Sequence, residues 1–182
     1  LDLLINHLLD AARIDRGGDI ADDELVRLDE LLQQCGSAIC VRYRLSEETV
    51  TIKSEHILLR SRLIQLEILF RNLIDNAVKY AGATPEVKIS VRLTGEQNVV
   101  VSIIDNGPGI PAKQRRKIFG RFIRLGNELE RSTPGTGLGL YLVRNVVKSL
   151  GGSIRLQDRE MGTGTEFEVT LRGVVPSDTY GK

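Results

Sequence analysis

The sequence predicts an α+β chain, and three observations predict it. An amphipathic helix runs over residues 62–81, with Leu66, Leu69, Phe70, Leu73 and Ala77 as its buried stripe. Two pairs of alternating apolar runs read as hairpins: 87–93 with 99–104, and 153–156 with 165–171. A second helix, with Leu142, Val143, Val146, Val147 and Leu150 as its core face, stands between the hairpins and opens on a run of glycines. The length of 182 residues suits one full domain plus an appendage, and 41% hydrophobic with 27% charged residues suits a globular protein with a core.

The remaining elements are justified in order. Leu1, Leu4, Ile5, Leu8 and Ala12 repeat at helical spacing, as in the tail of a long amphipathic helix that needs a partner helix to be stable. His7 reads as a polar residue on its flank. Arg16-Gly17-Gly18-Asp19 ends the helix and starts a linker. The chain opens at Leu1, inside a helical pattern, which points to a fragment of something longer. A new domain begins near Asp22. Leu25, Leu28, Leu31 and Leu32 predict a short helix to about Cys35. Residues 41–45 and 50–53 alternate as strands, and Ile57-Leu58-Leu59 is a strand or a loop. After Gly173 the tail, 174–182, is expected to be loose.

Bulk properties exclude several classes. A net charge of +1 gives no reason to expect nucleic acid, and the lack of Trp argues against stacking on single strands. Cys35 and Cys40 are too few and wrongly spaced for a disulfide framework or a zinc site. They are expected as small core residues in a reducing, cytoplasmic compartment. No apolar run approaches membrane-spanning length, so no direct membrane contact is expected of this piece, although a longer parent chain leaves room for an anchor.

The chemistry gathers around Asp105-Asn106-Gly107-Pro108-Gly109-Ile110, which follows the apolar strand 99–104. Asp105 can accept a hydrogen bond from an exocyclic amine, while Gly107 and Gly109 let backbone approach a flat ring. The alternative is an ordinary strand-to-loop turn. Asn72, Asn76, Lys79 and Tyr80 share one face of the 62–81 helix. Asn is a weak helix former, so two of them one turn apart ask for a reason. Their amide oxygens can ligate a hard cation such as Mg2+, Lys79 can reach a phosphate, and Tyr80 can lie against a ring. The alternative is a solvated polar face. Residues 111–136 carry seven cations against two acids, net +5 within a chain of net +1. One short helix, about 113–119, and a loop are expected there, the loop as a lid over a polyphosphate. Gly135-Thr136-Gly137-Leu138-Gly139-Leu140 then exposes N–H groups at a helix start, a natural phosphate site. It is neither a dinucleotide fingerprint nor a P-loop. Thr165 is placed to bring a hydroxyl near Asp105.

In order, the pieces are Asn72 to Tyr80, Asp105 to Ile110, Ile118-Phe119-Gly120-Arg121-Phe122, Gly135 to Leu140, and Gly162-Thr163-Gly164-Thr165. Together they resemble the catalytic ATP-binding domain of sensor histidine kinases, within the superfamily of gyrase, heat-shock chaperones, histidine kinases and mismatch-repair ATPases. The resemblance covers about residues 22–172, and the domain it implies is 22–173. It implies a two-layer α/β sandwich, a mixed sheet covered on one face by helices, with ATP between the layers. Residues 1–18 resemble the end of the dimerisation and phosphotransfer hairpin.

By position, the resemblance implies that Asp105 binds the adenine amine, supported through water by Thr165, with Gly107, Gly109 and Ile110 lining the base. Asn76 and Asn72 would hold Mg2+, and Lys79 and Tyr80 would contact the nucleotide. Arg121 and Arg124 would be lid cations, and Gly135, Thr136, Gly137, Leu138, Gly139 and Leu140 would cradle the phosphates. In the superfamily's hydrolases the position of Asn72 is usually a Glu. An amide cannot act as a general base, which favours phosphoryl transfer to a histidine. Neither His7 nor His56 matches the phosphoacceptor motif, so the acceptor is expected outside this piece, on a hairpin of the same or a paired chain. A response regulator receiver domain is the implied next partner. A non-catalytic nucleotide-binding module, and an ATPase or serine kinase of this fold, are the alternatives.

Overall fold

The computed structural model describes residues 9–10, 23–124 and 135–176. Its elements run β1 (Glu24–Arg27), α1 (Leu28–Tyr43), a 3-10 turn (Glu47–Thr49), β2 (Val50–Lys53), β3 (Leu58–Ser61) and α2 (Leu63–Tyr80). There follow β4 (Val87–Thr94), β5 (Asn98–Asp105), a second 3-10 turn (Lys117–Phe119), α3 (Gly139–Ser149), β6 (Ser153–Asp158), β7 (Thr165–Arg172) and β8 (Val174–Val175). Five strands form one sheet in the order β2-β4-β5-β7-β6. Only the β2–β4 pairing is parallel, so the sheet is mixed. A small antiparallel sheet, β1-β3-β8, stands apart.

Register decides which face is covered. Val99, Val101 and Ile103 of β5 pair with Leu171, Val169 and Phe167 of β7 and with Leu93, Val91 and Ile89 of β4. Side chains alternate along a strand, so these residues share a face. That face joins one core with Leu66, Leu69, Phe70 and Leu73 of α2 and Leu142, Val143 and Val146 of α3. Each such large side chain, fully buried, contributes about 1.5–3 kcal/mol relative to exposure. The opposite face carries Lys88, Ser90, Arg92, Glu166 and Glu168, with Arg92 donating to Glu168 at 2.9 Å. The result is the expected two-layer arrangement, helices on one face of a mixed sheet.

Some local expectations differ. Instead of ending near Cys35, α1 continues to Tyr43, because Cys35, Ile39 and Cys40 extend the buried row of Leu28, Leu31 and Leu32. Residues 41–43 are thus helical, not a strand. Arg44 turns left-handed at φ 54° and its N–H closes the helix on the Cys40 and Val41 carbonyls. Residues 112–116 are turns leading into the short 3-10 helix, rather than one α-helix. β1 has no strand signal of its own beyond one buried Val26, and exists as a partner of β3. Val174 and Val175 also pair with β3, so the expected loose tail starts with two ordered residues; 177–182 lie outside the described residues. Leu9 and Asp10 are helical, with Asp10 buried and paired to Arg71 at 3.1 Å. His7, the linker 16–19 and the rest of 1–18 also lie outside the described residues. His56 is exposed and meets Asp29 at 2.7 Å. No helix among the described residues is long and apolar enough to cross a membrane.

Candidate functional site

The inward rows of β5 and β7 are apolar until their last positions on the same sheet end. There Asp105 follows Ile103, and Thr165 precedes Phe167, both polar and almost fully buried. A buried carboxylate must be hydrogen-bonded. Asp105 Oδ1 accepts from the Gly107 N–H at 2.8 Å and the Thr165 N–H at 3.1 Å. Thr165 therefore supports Asp105 through its backbone. Gly164 passes so close that a Cβ there would overlap the Asp105 carbonyl oxygen, and its φ of 148° suits glycine. Burial pushes the Asp105 carboxyl above the usual range, opposed by the two N–H donors, by Arg159 and by the Thr165 side chain. Both backbone donors fall on Oδ1.

The polar face of α2 forms the facing wall. Asn72 is buried, and its Nδ2 donates to the Ile68 carbonyl at 2.7 Å, one turn back. This bond fixes the amide with Oδ1 beside Gly139, where a Cβ would lie 3.0 Å from it and 3.7 Å from Asn76 Nδ2. The start of α3 thus rests on the two asparagines. Lys79 lies 5.2 Å from the centroid of the Tyr80 ring, and the Gly135 backbone runs against its ammonium. Burial lowers the Lys79 pKa, Asp75 opposes the shift, and Arg124 and Arg42 add to it.

Between these walls lies a cavity of about 310 Å3. Asp105, Gly109, Ile110 and Thr165 line one part of it, and Asn72, Asn76, Lys79 and Tyr80 another. Thr136, Gly137, Gly139, Leu140 and Arg124 complete the expected set. Gly107, Gly135, Leu138 and Arg121 do not line it. Gly107 acts through its N–H on Asp105, and Leu138 is buried, its N–H 3.2 Å from Thr136 Oγ1. Arg121 stacks on Tyr141 instead, with its guanidinium carbon 4.7 Å from the ring centroid. Arg131, one of the seven cations of residues 111–136, lies outside the described residues. Sequence reasoning missed Asp75, Pro108, Ile118, Ile123 and Phe167, which also line the cavity. Four of them had a signal: Asp75 shares the face of Asn72, Pro108 and Ile118 sit within the quoted motifs, and Phe167 is two places beyond Thr165. Ile123 had none.

The arrangement has two chemical ends. Apolar walls around an anchored carboxylate suit a flat base carrying an amine. Lys79, Arg124 and the glycine-rich start of α3 suit phosphates. Among the described residues no group of three or more His, Cys, Asp and Glu could hold a metal. The amide oxygens of Asn72 and Asn76 are the hard donors at hand, fitting a cation that takes its other ligands from phosphate and water.

Comparison with known proteins identifies the family. Residues 62–174 match the family model described as histidine kinase-, DNA gyrase B- and HSP90-like ATPase. The chain is 38% identical over 174 residues to sensor protein KdpD of Escherichia coli, covering 92% of this chain and 18% of KdpD. It is 35% identical over 118 residues to the signal transduction histidine-protein kinase ArlS of Staphylococcus aureus, covering 65% of this chain and 26% of ArlS. The chain thus spans about a fifth to a quarter of the length of these relatives. Among solved structures, the mycobacterial sensor histidine kinase MprB superposes with a TM-score of 0.71 at 26% identity, over 83% of this chain and 97% of that one. Full-length ShkA in complex with AMPPNP gives a TM-score of 0.72 at 24% identity, over 96% of this chain and 36% of that one, a likeness of fold. The chain belongs to the histidine kinase-, DNA gyrase B- and HSP90-like ATPase family, as an ATP-binding catalytic domain of the sensor histidine kinase kind.

Proposed function

We propose that the cavity binds ATP with Mg2+ and presents the γ-phosphate to a histidine on a helical hairpin of the same or a paired chain. The observation that carries the reading is the polarity of one cavity, with anchored Asp105 at its apolar end and Asn72, Asn76, Lys79 and Arg124 along its polar side. Asp105 Oδ2 accepts from the adenine amine, with Gly109 and Ile110 against the ring. Asn76 and Asn72 offer amide oxygens to Mg2+, whose chemistry there is to neutralise phosphate charge. Lys79 and Arg124 face the phosphates, Tyr80 lies along the nucleotide, and Thr136, Gly137, Gly139 and Leu140 wrap the phosphate chain.

Asn72 is a neutral amide committed to the Ile68 carbonyl. It offers no base to activate water, which supports transfer over hydrolysis. Phosphoryl transfer needs chiefly alignment and charge stabilisation, and this wall supplies both. A response regulator receiver domain is the proposed next acceptor, and the proposed location is the cytoplasm, with any anchor elsewhere in a longer parent chain. The test supplies the chain with γ-labelled ATP, Mg2+ and a separate hairpin bearing the acceptor histidine. Label on that histidine is the expected outcome. Tight nucleotide binding with no label transferred would leave a binding module, and phosphate release without the hairpin would make the domain an ATPase.

A further inference from the structure

Arg121 and Arg124 lie three residues apart, yet only Arg124 lines the cavity. Arg121 reaches to α3 instead. Its Nη2 donates to the Tyr141 hydroxyl at 2.5 Å, and its guanidinium lies over the Tyr141 ring. Between the two arginines, Phe122 holds a left-handed φ of 58°, which costs free energy in a residue with a Cβ. Its backbone rests on Gly137, where a Cβ would lie 2.7 Å from the Phe122 carbonyl carbon. Gly137 itself has φ 71°, so both partners in this contact use unusual backbone geometry. Two fastenings therefore tie residues 121–122 to residues 137–141: backbone on backbone, and guanidinium on phenol. Arg121, Phe122 and Tyr141 do not line the cavity, whereas Gly137 and the next cation along the chain, Arg124, do.

We infer that Tyr141 is a positioning residue. It grips Arg121, and through that grip it sets where Arg124 meets the terminal phosphate. The ring contributes most of the hold, because a guanidinium stacked on an aromatic face keeps its attraction without the hydroxyl. Arg121 on this account anchors the strained turn and does not contact the nucleotide. The inference rests on the cavity being the ATP site.

The experiment compares AMPPNP, which carries a third phosphate, with ADP, which lacks it. Tyr141→Ala is expected to weaken AMPPNP binding about fivefold while ADP changes less than about twofold. Tyr141→Phe is expected to restore most of the AMPPNP affinity. Arg124→Ala should give the same selective loss, and the double variant should lose no more than Arg124→Ala alone. Equal losses for both nucleotides, no loss for either, or additive losses in the double variant would overturn the inference. Hydrogen exchange at residues 120–124 of the nucleotide-free chain separates this failure from failure of the ATP reading. It is expected to rise in Tyr141→Ala and return in Tyr141→Phe, whether or not nucleotide binds. Unchanged exchange in Tyr141→Ala would show that the phenol holds nothing.

Discussion

The backbone N–H of Thr165 meets Asp105 Oδ1 at 3.1 Å, across the ends of two neighbouring strands. The carboxylate is thereby held by its own loop and by the adjoining strand, with both backbone donors on one oxygen. This division decides what an isosteric replacement does. In Asp105→Asn the amide oxygen takes over the two N–H donors and the NH2 group is left facing the ligand's amine, donor against donor. ATP affinity is expected to fall about ten- to a hundredfold, while the melting temperature stays level or rises because a buried charge is gone. Calorimetric titration and a thermal melt on the same sample check both halves.

The raised Asp105 pKa sets a pH dependence. Because burial favours the protonated acid, Asp105 takes up a proton in the folded chain at a pH above that at which it does so unfolded. Acidification therefore adds to folding stability through this one group and removes the acceptor the amine needs. Nucleotide affinity is expected to decline on lowering the pH from neutrality, beginning above the ordinary carboxylate range. Asp105→Asn should lack that decline, and an identical profile in both proteins would show that another group titrates.

Removal of the metal should act through the asparagines. With Mg2+ present, Asn76→Ala is expected to bind AMPPNP about tenfold more weakly than the parent chain. With the metal chelated, the two proteins should bind alike. A magnesium titration of AMPPNP binding reads this directly, and an undiminished magnesium effect in the variant would remove Asn76 from the metal site.

Gly164→Ala tests the joint between β5 and β7. The added methyl overlaps the Asp105 carbonyl at a φ that disfavours L side chains. A loss of about 2 kcal/mol or more is expected from overlap and strain together. Chemical denaturation measures it, and nucleotide affinity should fall with it because Asp105 moves.

Legibility followed the range of the interactions. The α2 stripe and the two hairpins were readable because burial repeats at short spacing. Residues 41–45 misled because their alternation imitates a strand, whereas Val41 is exposed on the last turn of a helix whose row Leu28–Leu32–Cys35–Ile39 runs on. The site residues were readable as ordered motifs, since each carries a polar or glycine residue where a core would not. The resemblance makes Arg121 a lid cation. Its hold on Tyr141, twenty residues away, is a tertiary contact with no local signature. Ile123 was invisible for the same reason.

The small sheet ties distant parts of the chain to the site. β3 is flanked by the strand that brings the chain in and by the one that takes it out. A single residue, Arg62, separates β3 from the helix carrying Asn72 and Asn76. The incoming strand and the helix that carries both asparagines are thus joined through β3 and a single intervening residue.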